Sequence, residues 1–147
     1  MYQRLLVPVD GSELSARAMQ KSIELARQLG AAITGFVAEP VGPSPAPGSS
    51  PRAVEEACSV HEERAAEHAR RVLRDFERQA QGAGVPFSGE FSHAHNVDVA
   101  IAHAAEAHQC DMIVMVTHGR GSFGELLFGS HTKAVMQRSR LPLLVLH

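Results

Sequence analysis

Glycines at 119, 121, 124 and 129, the last followed directly by Ser130, come after the apolar run Met112-Ile113-Val114-Met115-Val116. A strand-length apolar segment, a glycine-bearing loop and a helix start together form a backbone receptor for an anion. Free N–H groups and the helix dipole both point at the negative charge. The chemistry implied is phosphate binding by main-chain amides. Two familiar phosphate patterns fit incompletely. Gly119-Arg120-Gly121-Ser122-Phe123-Gly124 matches the dinucleotide fingerprint literally. That fingerprint needs an acid on the next strand for the ribose, and Leu143-Leu144-Val145-Leu146 carries none. Gly119 and Gly124 also have P-loop spacing, but Glu125 and Leu126 replace the required lysine and hydroxyl residue. A carboxylate there repels phosphate.

Thr117-His118-Gly119, nine intervening residues and then Gly129-Ser130 resemble the ATP-binding signature of the universal stress protein family. The opening LLVPVDGSELSARAM resembles that family's first strand and turn, and the likeness spans nearly all 147 residues. Val116 stands in place of the signature's first glycine, where a β-branched side chain adds bulk close to ribose and phosphate. The resemblance implies the strand order 3-2-1-4-5, with strands one and four side by side at the point where ligands bind in open parallel sheets. Pro8, the backbone of Val9 and the carboxylate of Asp10 are then expected at the adenine and sugar. Val37 is expected to wall the base, and Met115 and Val116 to lie near the ribose. His118 and Gly119 would run along the phosphates, with Gly129, Ser130, His131 and Thr132 closing on the terminal ones. The ligand implied is ATP, with Mg2+ or Mn2+ leaning on the triphosphate. His131 replaces a usually aliphatic residue, and a protonated imidazole there offsets a tighter pocket at Val116 by about 1 kcal/mol. The resemblance also implies a homodimer in which the two copies of strand 143–146 pair antiparallel, covering an apolar edge that would otherwise be exposed.

The elements that must position these residues follow from periodicity. Arg4–Val9 reads as a strand ending at the turn Asp10-Gly11-Ser12. Ser12 suits the N-cap of a helix to about Leu29, with Leu14, Ala18, Leu25, Ala26 and Leu29 as its stripe and Gly30 as its stop. Ala31–Ala38 reads as a second strand. Residues 39–51 carry five prolines, two glycines and three serines and read as a mobile surface loop. Arg52–Gln81 has helical spacing at Val54, Cys58, His61, Ala65, Ala69, Val72, Phe76 and Ala80. Val85–Phe91 is a more polar third strand, suited to an edge. Asn96 or Asp98 caps a helix to about His108, and Ser130 caps one over roughly His131–Arg138. The sum is β-α-β-α-β-α-β-α-β, an α/β fold with an open five-stranded parallel sheet and helices on both faces, in a single domain.

Composition narrows the classes. A formal charge of −2 with only Lys21 and Lys133 as lysines leaves no electrostatic footprint for nucleic acid. No apolar stretch reaches the roughly 18 residues that span a bilayer. Met1 leads straight into a strand, so a signal peptide is not expected. Cys58 and Cys110 have no close partner in sequence and read as structural thiols of a reducing cytoplasm. The nine histidines lack the paired spacing of a zinc site. Asp10 is the one carboxylate placed beside the expected phosphates, which is thin equipment for phosphoryl transfer. The leading reading is an adenine-nucleotide-binding module whose output is conformation. The competing readings are a dimeric interaction module of the same fold that binds no nucleotide, and a slow ATPase.

Overall fold

A computed structural model of the chain describes residues 1–42, 44–116 and 130–147. The expected glycine loop, with His118, Gly119 and Gly129, lies outside the described residues. In order come β1 (Arg4–Pro8), α1 (Glu13–Leu29), β2 (Ala32–Pro40), α2 (Pro51–Gly82), β3 (Phe87–Ala94), α3 (Val97–Ala107), β4 (Met112–Val116), α4 (Ser130–Arg138) and β5 (Leu143–Leu146). All four strand pairings are parallel, and the sheet order is β3-β2-β1-β4-β5. β1, β2, β4 and β5 alternate their side chains between two cores, as the pleat requires, whereas β3 contributes Phe87 and Phe91 to one core only. Leu5, Val7, Ile33, Val37 and Val114 face a core shared with α1 and α2. Leu6, Phe36 and Ile113 face a second one shared with α3 and α4.

Near-continuous apolar runs are therefore right for the central strands, because both faces are covered. The polar β3 lies at the edge, as its composition suggests. Gly35, in the middle of β2, has a packing role. A Cβ there would sit 2.7 Å from Phe87 and 2.9 Å from Phe76. Its absence lets those rings stack tilted, with centroids 4.9 Å apart, worth about 1 kcal/mol beyond the area they bury.

Several boundaries depart from the periodicity. On α1 the buried stripe is Ser15, Ala18, Met19, Ser22, Ile23 and Ala26, while Leu29 is exposed. Two serines enter the stripe because each satisfies its own hydroxyl: Ser22 donates to the Met19 carbonyl at 3.0 Å, and Ser15 donates to Asp10. β2 continues through Glu39 and Pro40 instead of stopping at Ala38, since β3 pairs with it up to Ala94. Pro40 is tolerated as the terminal residue, where its missing donor costs least. α2 has 32 residues, a rod about 48 Å long, which overruns the sheet. Its packed stripe begins only at Ala65; Cys58 is exposed, and Val54 and His61 are half-buried. Asn96 occupies the N-cap position of α3 without a side-chain cap bond, and Asp98 pairs with Arg138 instead of capping.

Candidate functional site

β1 and β4 are neighbours on which the chain departs in opposite directions across the sheet, so the switch point lies between them. Leu5 pairs with Met112 and Leu6 with Ile113. The same offset carries Pro8 alongside Met115 and Val9 alongside Val116. The sequence motifs at 8–10 and 115–116 thus meet at the carboxyl ends of two adjacent strands.

The turn after β1 is a tight polar knot. Oδ1 of Asp10 accepts from the Ser12 N–H at 2.9 Å and from the Ser15 hydroxyl at 2.6 Å. The Ser15 oxygen in turn accepts from the Asp10 N–H at 2.6 Å, and the Ser12 hydroxyl accepts from the Ser15 N–H at 3.2 Å as the α1 N-cap. Burial pushes the Asp10 carboxyl up, but the bonds from Ser12, Ser15 and the backbone outweigh it and hold the group below its ordinary value. Gly11 reverses the chain with φ +83°, and a Cβ there would lie 3.0 Å from Val72 and 3.1 Å from Nε2 of His68.

The remaining expected residues divide between the two faces. Val9 is nearly buried in the α1–α2 core, and Val116 packs partly buried against the same core. Met115 packs against the other. The bulk of Val116, expected near ribose and phosphate, is thus spent at least in part on core packing. Val37, in the second half of β2, is 1% exposed and packs in the α1–α2 core. Ser130 and His131 begin α4, making Ser130 its first residue and not the residue before it. Thr132, in the first turn, is buried.

α4 is held by Val135, fully buried in the α3–α4 core, and by the ion pair between Arg138 and the buried Asp98. Each partner complements its own helix dipole, an acid in the first turn of α3 and a base in the last turn of α4. Asp111 closes the opposite end of the sheet, accepting from the Gln3 N–H at 2.7 Å and the Arg4 N–H at 3.1 Å.

A further polar pair escaped the sequence reading. His68 of α2 donates from Nδ1 to the buried Glu39 at 2.7 Å. Two turns earlier, His61 donates from Nε2 to the Pro40 carbonyl at 3.2 Å. The only signal was the seven-residue spacing of the two histidines, which puts them on one helix face. A cavity of about 310 Å3 lies elsewhere, between the proline-rich loop and the first turns of α2, and contains none of the expected site residues. Among the described residues no three His, Cys, Asp or Glu side chains converge on a metal-sized site. No helix among them is long and apolar enough to cross a membrane.

An open parallel sheet in this order, with helices on both faces, defines a doubly wound α/β protein. The universal stress protein family model matches residues 1–147, and the chain belongs to that family. It is 26% identical over 148 residues to the universal stress protein MJ0531 of Methanocaldococcus jannaschii, covering 99% of this chain and 82% of that one. Its fold is similar to that of universal stress protein UspA from Lactobacillus plantarum, with TM-score 0.81, 22% identity and coverage of 99% and 98% of the two chains. It is also similar to a universal stress protein in complex with cAMP, with TM-score 0.70, 23% identity and coverage of 99% and 97%. A third likeness is to a universal stress protein from Archaeoglobus fulgidus in complex with dAMP, with TM-score 0.68, 16% identity and coverage of 99% and 98%.

Proposed function

We propose that this protein binds an adenine nucleotide, ATP in the first instance, across the carboxyl ends of β1 and β4, and acts as a conformational stress-response or signalling module. The observation that carries the reading is the meeting of two separated motifs, Pro8-Val9-Asp10 and Met115-Val116, at the switch point of an open parallel sheet. Family members of the same fold in complex with cAMP and dAMP support the choice of an adenine nucleotide. Within the reading, Asp10 receives the sugar hydroxyls. Its Oδ1 is engaged by Ser12 and Ser15, and Oδ2 is the oxygen left for the ligand. Backbone amides of Gly119, Gly129, Ser130, His131 and Thr132, with His118 beside them, receive the phosphates, and Mg2+ or Mn2+ would be carried in by the triphosphate. The work of the site is binding. Within the reading, Asp10 serves as a hydroxyl acceptor and not as a holder of metal for phosphoryl transfer.

Two copies are proposed to pair through β5, in a cytoplasmic homodimer. Mass spectrometry of small molecules released from freshly purified protein tests the reading, with an adenine nucleotide as the expected ligand. Gly129→Val should reduce nucleotide affinity at least about tenfold while leaving the far-ultraviolet circular dichroism unchanged, because a side chain would intrude on a close backbone approach. Unchanged affinity would remove the phosphate cradle from the proposal.

A further inference from the structure

His68 is half exposed, whereas its partner Glu39 has only 9% of its side chain exposed. A carboxylate offers acceptors alone, so the 2.7 Å contact requires the proton on Nδ1 and fixes the orientation of the ring. The opposite edge of the imidazole abuts Gly11, where a Cβ would come 3.1 Å from Nε2 and 3.6 Å from Cε1. One ring therefore bridges the last residues of β2 and the turn that follows β1. His61 repeats the grip two turns away through the Pro40 carbonyl. Ala65 and Ala69, both buried, give α2 the close approach to the sheet that such short contacts require. A buried acid paired with histidine costs more desolvation than an apolar pair of the same shape. What it adds is direction: a hydrogen bond holds an angle that methyl contacts do not.

We propose that His68, aligned by Glu39, is a positioning residue of the nucleotide site, clamping the turn after β1 so that Asp10 keeps its carboxylate aimed at the sugar. The proposal rests on the nucleotide-binding reading above and names a part of that site outside both sequence motifs. His68 acts through Gly11 and Asp10 without touching the ligand, so its contribution belongs to the nucleoside and not to the phosphates.

The test is calorimetric titration of adenosine, AMP and ATP into wild type, His68→Ala, Glu39→Ala, the double variant and His68→Gln, below the thermal midpoint of each. Each single alanine variant should weaken all three ligands by the same factor, about three- to tenfold, the loss of one hydrogen bond. The double variant should bind no more weakly than either single one, because both remove the same clamp. His68→Gln, which retains a donor toward Glu39, should recover part of the loss. A merely structural role would lower the midpoint and leave the affinities of the folded protein unchanged, and that result overturns the proposal. It also falls if the loss grows with phosphate number. Should an alanine variant fail to fold, His68→Asn, whose shorter side chain falls short of Glu39, takes its place: affinities for all three ligands equal to those of wild type overturn the proposal. Absence of binding of all three ligands to wild type removes the nucleotide reading together with the clamp, whereas wild-type binding with unaltered variants removes the clamp only.

Discussion

At the scale of single residues, the turn Asp10-Gly11-Ser12 serves structure and the proposed site with the same atoms. Ser12 caps α1 and also donates its N–H to Asp10. Gly11 is required by conformation and by space, so Gly11→Ala should destabilise the protein by at least about 1 kcal/mol in urea denaturation. A left-handed φ and contacts at 3.0 and 3.1 Å both oppose the added methyl group. Asp10 also makes a pH prediction. Its carboxyl is held below the ordinary value in the folded chain, so its contribution to stability is complete above the unfolded value of about 3.9 and is lost as pH falls through the folded one. Asp10→Asn should therefore flatten the acid limb of a stability–pH curve below about pH 4, while leaving its neutral part parallel to wild type.

Among elements, α3 and α4 show how little of an ion pair's meaning lies in charge alone. Arg52 and Glu56 make an exposed i,i+4 pair, which contributes at most about 0.5 kcal/mol. Arg138 instead meets an acid with 9% of its side chain exposed. Removing the base strands a desolvated carboxylate. With Arg138 itself half in water and screening the pair, Arg138→Ala should cost about 1–2 kcal/mol, against nearly nothing for Arg52→Ala, in parallel urea melts. Asp98 was legible in the sequence as a helix-start residue; its partner forty positions later was not. α2 shows the converse. Its 3–4 spacing is continuous from Val54, yet only the half from Ala65 onward finds a sheet to cover. Periodicity reports which face is apolar, and the length of the neighbouring strands determines how much of that face is used.

For the whole molecule, the sheet has two edges of different character. β3 is polar and partly covered by α2, with Arg70 lying over Phe91. β5 is Leu-Leu-Val-Leu, each residue half-buried, and among the described residues it pairs with β4 alone. An apolar outer strand of this kind is normally covered or paired, which is the ground for the dimer proposed above. Deleting residues 143–147 should convert the proposed dimer into monomer or aggregate in sedimentation analysis. A well-behaved dimer after that deletion would refute pairing through β5.

The order of elements, the parallel sheet and the two motifs were legible in the sequence because each rests on local chemistry: apolar runs of strand length, serines and asparagine at helix starts, and glycines where the chain turns. Glu39 and His68 were different. The sequence placed Glu39 in a proline-rich loop and did not single out His68. Packing buries Glu39 and joins it to His68 across twenty-nine positions. Such contacts depend on which helix covers which strand and how closely, a property of the assembled layers that no window of sequence contains. Hydrophobic pattern and turn chemistry were enough to specify the architecture; only the tertiary structure decided which polar groups were brought together at the carboxyl ends of its strands.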